Sequence, residues 1–322
     1  LRKRERYMKE IRIAGTDLAL SPIGLGTVNA GIAWDHEDAF RIFDSYLAAG
    51  GNLIDTAHVY SDWIPGETAR SERVVGDWIR NRGKREDFIL MTKGGHPRSE
   101  TMQISRLSRE EMTEDLDGSL KKLGVDWIDI YFYHRDDINR PVEELIETME
   151  DFRRAGKIRY YGCSNWTTER MREADAYCQE KGYRGFAANQ AMYNIGVAQM
   201  NPFPDPTMVV CDEEMLDYHR NSDNLLMPYM GVCSGFFHKL KAKGLEAVKD
   251  SCYNTDGNLR LAEGIYRLCE VRGITITQAL LGFFSVMDIP ALPLAGASSL
   301  KQLAELNETL STEFCAEEYK FL

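Results

Sequence analysis

The chain has 322 residues, of which 39 are lysine or arginine and 50 are aspartate or glutamate, so its formal net charge at pH 7 is −11. This acidic balance argues against nucleic acid as a partner, because binding a phosphate backbone needs a basic surface. Hydrophobic residues make up 43% and charged residues 28%, which excludes a disordered or fibrous chain. No apolar run approaches the roughly 18 residues of a membrane-spanning helix, so we expect no membrane partner and a cytoplasmic protein.

The first residues of the chain, and its histidines and cysteines, give two further expectations. Leu1–Met8 is strongly charged, and we expect a disordered tail there, followed by one domain over 9–322. The six histidines and seven cysteines are scattered, without the spacings of a zinc site or a disulfide framework. We therefore predict no bound metal.

Short apolar runs alternate with amphipathic stretches, which is typical of parallel strands joined by helical crossovers. In chain order the predicted strands are Ile23–Leu25, Asn52–Ile54, Phe88–Thr92, Ile128–Tyr133, Lys157–Gly162, Gly185–Asn189, Leu225–Tyr229 and Ile289–Leu294. The predicted helices are Glu37–Ala49, Ser71–Arg82, Ser108–Leu123, Pro141–Ala155, Thr167–Lys181, Glu213–Arg220, Asn258–Arg272 and Leu300–Leu310. These units predict an α/β fold, a (β/α)8 TIM barrel, since a doubly wound sheet more often has fewer strands.

Two features are added to this barrel. Ile11–Leu20 alternates in polarity around Gly15 and predicts an N-terminal β-hairpin before the first barrel strand. The segments 191–212 and 233–255 are long βα loops after the sixth and seventh strands. Long loops at the C-terminal ends of barrel strands usually form the binding site, so we expect it there.

Polar or otherwise special residues end the apolar strands. They are Gly26 and Thr27, Asp55, Lys93, His134, Ser164 and Asn165, Gln190, Tyr229, and Gly296. In a barrel these strand ends all lie on one face, so the groups are expected to converge on one pocket. Charges at the ends of core strands are costly unless paired, which favours a functional role.

The motifs D-T-A-x-x-Y, T-K, H-R, G-x-S-N and N-Q follow one another at barrel spacing. From about Lys9 to Leu310 the sequence thereby resembles the aldo-keto reductases, NAD(P)H-dependent oxidoreductases that interconvert a carbonyl and an alcohol. The resemblance implies a catalytic tetrad of Asp55, Tyr60, Lys93 and His134.

The chemistry of carbonyl reduction suits these four side chains. Hydride addition leaves an alkoxide that needs a proton, and Tyr60 can supply it if Lys93 brings the phenol's acidity closer to neutral pH from its usual pKa of about 10. Asp55 would hold Lys93, and His134 would hydrogen-bond the substrate oxygen. The structural alternative is an ordinary buried ion pair beside a packed tyrosine and histidine.

The resemblance also implies a nicotinamide cofactor, NADP or NAD. Ser164, Asn165 and Gln190 would bind the carboxamide and Tyr229 would stack on the ring, while Asn165 could also cap the next helix. The phosphates are expected over 230–239 and at 296–299, where backbone can approach closely. The full set of predicted cofactor contacts is Gly26, Thr27, Asp55, Ser164, Asn165, Gln190, Tyr229, Met230, Gly231, Val232, Ser234, Gly235, Phe236, Lys239, Gly296, Ala297, Ser298 and Gln302.

Selectivity between NADP and NAD stays open at this point. Many NADPH-selective members of the family carry Arg or Lys where Ser298 stands.

The segment Gly24–Asn29 resembles the start of a G-x-G-x-x-G dinucleotide fingerprint, but Asn29 replaces the third glycine, which disfavours a Rossmann fold.

Substrate is predicted less directly. Four residues in the loops after the first, second and sixth strands are candidate walls of the pocket, although ordinary loop packing explains them equally well: Trp34, His58, Trp63 and Asn194. The segments 134–137 and 201–210 resemble a bacterial branch linked to sugar metabolism. We therefore expect a small carbonyl compound or sugar-like substrate, bound by a monomer or a homo-oligomer.

Two other functions compete with this interpretation. The β subunits of potassium channels share the family's fold and bind nucleotide, so a redox-sensing regulatory subunit with little turnover is one alternative. A barrel glycosidase using Asp136 and Asp137 is another, but adjacent residues on an extended chain point to opposite sides.

Overall fold

The computed structural model describes residues 10–82 and 84–322, so the tail predicted at Leu1–Met8 lies outside the described residues. Its strands are β1 (Ile11–Arg12), β2 (Ala19–Leu20), β3 (Gly24–Gly26), β4 (Leu53–Asp55), β5 (Ile89–Gly94), β6 (Ile128–Tyr133), β7 (Ile158–Ser164), β8 (Ala188–Gln190), β9 (Leu225–Leu226) and β10 (Leu294–Gly296). Its α-helices are α1 (His36–Ala48), α2 (Arg70–Arg82), α3 (Arg109–Leu123), α4 (Val142–Arg154), α5 (Thr168–Lys181), α6 (Glu213–Arg220), α7 (Phe236–Lys243), α8 (Asp256–Arg272), α9 (Ile276–Gly282) and α10 (Leu300–Leu310).

Eight strands form one parallel sheet in the order β10-β3-β4-β5-β6-β7-β8-β9. The two ends of the sheet meet through Leu226, which bridges Ala291 and accepts a hydrogen bond from the Leu292 N–H at 2.9 Å. A second closing bond runs from the Leu294 N–H to the Pro228 carbonyl at 2.8 Å. These links make the sheet a (β/α)8 barrel, which confirms the predicted fold class.

Side chains alternate between the inside of the barrel and the helices outside it. On β5, Leu90 packs in the outer core, whereas Met91 packs in the inner cluster and Lys93 shares its face. On β6, Ile130 and Phe132 point inward in the same way. Because the alternation continues to the strand ends, the residues that follow the inner apolar layers are the polar groups of the site.

Local sequence signals explain most helix ends. The α3 helix begins with a capping box between Ser108 and Glu111 and ends at Gly124, whose φ is 68°. The helices α7 and α9 are present in the structure but were not predicted. The α9 helix is short and begins at a second capping box, in which Thr275 pairs with Gln278.

Most barrel strands are displaced by one to three residues from their predicted bounds, and two differ more than the others. The apolar run predicted as the last strand, Ile289–Leu294, is wrong in register, since regular pairing covers Leu294–Gly296 and the earlier part makes only the closing contacts. The seventh barrel strand was predicted over Leu225–Tyr229, but its ladder ends at Leu226. Pro228 has no N–H to donate, which limits regular pairing beyond that point.

The predicted N-terminal hairpin is confirmed, with β1 and β2 antiparallel. Its apolar residues Ile13 and Leu18 are buried in the same cluster as the inward side chains of β4, β5 and β6. Outside the cluster, Asp17 accepts hydrogen bonds from the Arg159 guanidinium at 2.7 Å and the Tyr160 hydroxyl at 2.9 Å, near the start of β7. The hairpin therefore closes the end of the barrel opposite to the strand tips. In the described ranges we find no helix with the length and apolarity to span a membrane.

This packing predicts that Leu18→Ala lowers the free energy of unfolding by about 2–5 kcal/mol, because Leu18 is 3% exposed and its loss leaves a cavity. Chemical denaturation measures the effect. The control is Val271→Ala at a position that is 77% exposed, which should change stability by less than about 0.5 kcal/mol. Equal effects of the two variants would show that the hairpin is not part of the core.

Candidate active site

A buried ion pair lies at the strand tips. Lys93 on β5 donates from Nζ to Asp55 Oδ1 at 2.8 Å and Oδ2 at 2.7 Å, and to the Thr56 carbonyl at 2.8 Å. Both charged side chains are almost fully buried. Burial lowers the pKa of Lys93, but the charges and hydrogen bonds of Asp55 and Tyr60 together outweigh it, so the pKa is raised above its ordinary value. The lysine therefore keeps its positive charge.

Tyr60 lies in the loop after β4, against this lysine. Its hydroxyl accepts a hydrogen bond from Lys93 Nζ at 3.2 Å. Burial raises the pKa of Tyr60 above its ordinary value, and the positive charge of Lys93 opposes that rise. The lysine acts in the direction expected from sequence, but burial is the larger effect. Tyr60 is consequently a protonated phenol at neutral pH.

His134 follows β6, with its ring edge to face on Tyr60 at 6.0 Å between centroids. Burial holds the pKa of His134 well below its usual range, and the charges of Arg135 and Lys93 lower it further. A neutral imidazole keeps one N–H that can donate to a substrate oxygen. His134 Nδ1 is buried and finds no hydrogen-bond partner among the described residues. The structure thus brings the four predicted tetrad residues together.

The predicted nicotinamide contacts surround this group. Gln190, at the end of β8, donates from its side-chain Nε2 to Asp55 Oδ1 at 2.9 Å, and its backbone carbonyl accepts from Ser164 Oγ at 2.9 Å. Asn165 has a φ of 61° and accepts at Oδ1 from the Tyr229 hydroxyl at 2.6 Å. It does not cap α5, because the N-cap is Thr167. These amide and hydroxyl groups offer the mixed donors and acceptors that a carboxamide needs.

The loop between β9 and α7 has an unusual backbone. Met230, Cys233 and Ser234 have φ values of 60°, 52° and 52°, and Gly235 follows at 74°. Such left-handed non-glycine residues are costly and concentrate at functional sites. Beside this loop is a cavity of about 250 Å³, lined by Ser234, Phe236, Lys239 and the segment 246–251. Its lining has two lysines, Lys239 and Lys249, which could bind a phosphate group, and two acidic residues, Glu246 and Asp250.

The second predicted phosphate site lies between β10 and α10. Gly296 pairs with Gly26, so the first and last strands meet there. The Ser298 N–H donates to Gln302 Oε1 at 2.6 Å, and Ser299 caps the helix. The first turn of α10 presents backbone N–H groups in the manner of an anion site.

The donor set of the site therefore fits a nicotinamide dinucleotide. Uncharged amides and hydroxyls lie at the strand tips, where the carboxamide would bind, and a lysine and a helix N-terminus lie where phosphates would bind. The buried Thr27 hydroxyl donates to the Asp55 backbone carbonyl at 2.9 Å, which ties the end of β3 to the end of β4. Among residues 10–82 and 84–322, no cluster of three or more His, Cys, Asp or Glu side chains could hold a metal ion.

Three of the four predicted walls of the substrate pocket make their polar contacts with neighbouring elements of the fold. His58 packs toward α2 and α3, with Nδ1 3.8 Å from Glu72 and Nε2 3.8 Å from Asp115, so it lies outside the barrel. Trp34 is 3% exposed and donates from Nε1 to the Ala297 carbonyl at 2.6 Å. Asn194 is 2% exposed and donates to the Met230 carbonyl at 3.1 Å.

These contacts give each side chain a structural role, and their part in the substrate pocket stays a prediction. Trp34 and Asn194 hydrogen-bond backbone carbonyls of the two loops predicted to hold the cofactor, and His58 lies between acidic side chains of α2 and α3. Trp63, by contrast, is 52% exposed in the loop after β4. Its substrate role stays a prediction.

Two side chains at this site, His96 and Arg135, are not among the residues predicted from sequence. His96 follows β5, and its ring contacts that of His134 edge to face at 4.8 Å between centroids. Arg135 follows His134 and donates from Nη1 to the His134 carbonyl at 2.9 Å. Adjacency to the H-R motif was the signal for Arg135, while His96 offered only its position two residues after the end of a strand.

The fold and the site together define a (β/α)8-barrel oxidoreductase with a buried lysine, tyrosine and histidine at the strand tips. Residues 22–322 match the Aldo/keto reductase family, and the chain belongs to that family. It is therefore an NAD(P)-dependent enzyme that acts on carbonyl and alcohol groups.

Curated relatives share most of the chain. It is 25% identical to the aldo-keto reductase ausK of Aspergillus calidoustus over 95% of this chain and 78% of that protein. It is 27% identical to norsolorinic acid reductase B of Dothistroma septosporum over 88% of this chain and 72% of the relative. With an aryl-alcohol dehydrogenase [NADP(+)] of Phanerodontia chrysosporium the identity is 24%, over 96% and 83% respectively.

The ion pair predicts the behaviour of Lys93→Met. Leaving Asp55 buried without its partner should lower the free energy of unfolding by about 3–5 kcal/mol. Removing the cation also raises the pKa of Tyr60 further, so residual carbonyl reduction should be slower and should persist to higher pH before the phenol ionises. Denaturation and a pH–rate profile measure the two effects.

Arg85→Met is the matched control for Lys93→Met. Arg85 forms an ion pair with Asp129 at 2.6 Å, and the two side chains are 10% and 5% exposed. This pair is therefore buried as well, but Asp129 lies at the start of the barrel strands and not at their tips. This variant should lose stability and keep the wild-type pH profile. An unchanged pH profile in Lys93→Met would show that Lys93 does not tune Tyr60.

Proposed function

We propose that this protein reduces a carbonyl group of a small molecule, and oxidises the corresponding alcohol, with Tyr60 as the proton donor and acceptor. The observation that carries the proposal is the position of Lys93 Nζ, which contacts both the Asp55 carboxylate and the Tyr60 hydroxyl. A structural ion pair alone would not need a tyrosine hydroxyl at that point.

When bound, the reduced nicotinamide supplies the hydride that adds to the carbonyl carbon. The Tyr60 hydroxyl donates its proton to the carbonyl oxygen, and Lys93 stabilises the phenolate that remains. Asp55 and the Thr56 carbonyl hold Lys93 in place. The neutral His134 orients the same oxygen with its N–H and favours the charge that develops there.

The protonation states of the free site support reduction. Tyr60 holds its proton because burial raises its pKa, and His134 is neutral because burial lowers its own. A charged imidazole beside Lys93 would add a second buried cation. With a neutral histidine, the proton that leaves the site is that of Tyr60.

For the substrate we favour an aromatic aldehyde or ketone. The names of two relatives, an aryl-alcohol dehydrogenase and a norsolorinic acid reductase, support this choice. So do the rings of His96 and Tyr229, which lie beside the tetrad. The sugar-like substrate expected from sequence rests on the resemblance of two segments to a bacterial branch, and it is the second candidate.

Turnover separates an enzyme from the regulatory alternative. Purified protein is assayed with NADPH and with NADH against benzaldehydes, aryl ketones and aldose sugars, following the nicotinamide absorbance. Reduction of aryl aldehydes with sugars inert supports the aromatic class. Tight nucleotide binding without turnover on either class would favour a redox-sensing regulatory subunit.

Tyr60→Phe tests the proton donor. The change removes the hydroxyl and keeps the ring, so kcat for carbonyl reduction should fall by at least about 10²–10⁴-fold. Nucleotide affinity, measured by fluorescence titration, should stay within a few-fold of wild type. The control is Tyr133→Phe, since that hydroxyl bonds the Leu145 carbonyl on the outer side of β6. Near-normal turnover of Tyr60→Phe would exclude Tyr60 as the acid.

Ser298→Arg tests nucleotide choice. A 2′-phosphate is held best by a guanidinium or ammonium group, whereas exposed Ser298 bonds Asn29 Nδ2 at 3.2 Å and offers only a hydroxyl. We expect wild type to prefer NADPH over NADH by less than about 100-fold, or roughly 2.7 kcal/mol. The arginine should raise that preference.

Ser298→Met is the uncharged control for this experiment, and both cofactors are titrated against all three proteins. A wild-type preference for NADPH well above the stated bound, and unchanged by the arginine, would place the phosphate grip elsewhere. The cavity beside Lys239 is then the next candidate.

A further inference from the structure

Arg135 is a largely buried guanidinium that directly follows His134 of the proposed active site, and the tetrad mechanism does not use it. Its side chain is 11% exposed. It is fixed by donation from Nη1 to the His134 carbonyl at 2.9 Å and from Nε to Thr207 Oγ1 at 3.0 Å. Both acceptors are uncharged, so they orient the guanidinium without neutralising it.

Arg135 forms a long ion pair with Asp205. Asp205 Oδ2 lies 3.6 Å from Nη2, beyond hydrogen-bond distance, and the structure gives Nη2 no closer acceptor among the described residues. The Asp205 carboxylate also accepts from Thr207 Oγ1 at 2.7 Å and from the Thr207 N–H at 2.9 Å. Burial accordingly lowers the pKa of Arg135, since its partners do not repay the lost hydration.

Among the described residues, Asp205 is the acidic side chain that lies within ion-pair distance of the Arg135 guanidinium. His96 donates from Nδ1 to the Pro97 carbonyl at 2.6 Å, and burial lowers its pKa to about 4, so it is neutral. His134 is neutral as well, and Asp55 is occupied by Lys93. The bond from Arg135 Nη1 to the His134 carbonyl holds the guanidinium next to the tetrad histidine.

We propose that Arg135, with Nη2 as the donor, binds a carboxylate on the substrate, so that the preferred substrates are aromatic aldehydes bearing an anionic group. This inference rests on the proposed carbonyl reduction and specifies its substrate. Hydride adds to the aldehyde carbon and the Tyr60 proton to its oxygen, giving the alcohol, while the carboxylate is unchanged. The anion supplies the counter-charge that Asp205 provides only in part.

The test compares substrates that differ in charge and little in shape. The 3- and 4-carboxybenzaldehydes are assayed against the matching carbamoylbenzaldehydes, whose amide is planar and neutral. Wild type should show a kcat/KM at least about 10-fold higher for a carboxylate than for its amide, as expected for a hydrogen bond to a charged group. An amide reduced as well as its carboxylate, for both isomers, would overturn the proposal without any variant.

Arg135→Gln should raise KM for the preferred carboxylate by about 10–100-fold and change that of the amide by less than about 3-fold. The matched control is Arg170→Gln. Arg170 is equally buried, at 11% exposure of its side chain, but pairs with Asp136 at 3.1 Å. This control should leave the carboxylate-to-amide ratio unchanged. An equal loss for both substrates in Arg135→Gln would mean a structural role and would also overturn the proposal.

A binding measurement separates this inference from the proposed function. If no aldehyde is reduced with either cofactor, the proposed carbonyl reduction is wrong. Whether Arg135 binds a carboxylate is then decided by calorimetry, in which 4-carboxybenzyl alcohol and 4-carbamoylbenzyl alcohol are titrated into the NADP⁺-saturated protein. Carboxylate binding that is at least about 10-fold tighter than amide binding, and lost in Arg135→Gln, supports it. Equal binding of the two alcohols, or no binding, rejects it.

Discussion

The buried contact between Lys93 and Asp55 constrains the rest of the site. An ammonium group and a carboxylate can be removed from water together only if their remaining hydrogen bonds are met. Here the Thr56 carbonyl and the Gln190 amide meet them, so the pair joins β4, β5 and β8 at one level of the barrel. Tyr60 is then positioned by a lysine that cannot move without exposing a buried charge.

Around this pair, burial sets the protonation states more than charge does. It raises the pKa of Tyr60 and lowers that of His134, leaving a proton donor and a neutral hydrogen-bond donor side by side. His96 follows the same rule. The site is thus built of neutral groups around one satisfied ion pair, with the guanidinium of Arg135 and its longer ion pair to Asp205 beside it.

Sequence predicts those parts of the protein that repeat with the barrel. The bounds of β6 and α10 agree with their predicted ranges, and Asp55, Lys93 and His134 could be placed because the inward alternation of each strand continues to its tip. The directions of loop side chains carry no such periodicity. His58 is only three residues beyond Asp55, yet it packs between helices, and nothing in its spacing distinguishes the two outcomes.

The contacts of Trp34 and Asn194 show how the loops are organised. Both side chains are predicted to face substrate, and both hydrogen-bond backbone carbonyls of the loops predicted to hold the cofactor, at Ala297 and Met230. A loop with left-handed residues such as Met230 needs external bonds to keep its costly conformation. Buried polar side chains from neighbouring βα loops provide those bonds. Substituting these side chains would therefore alter the shape of the loops that are predicted to hold the cofactor, before any effect on a direct contact with it.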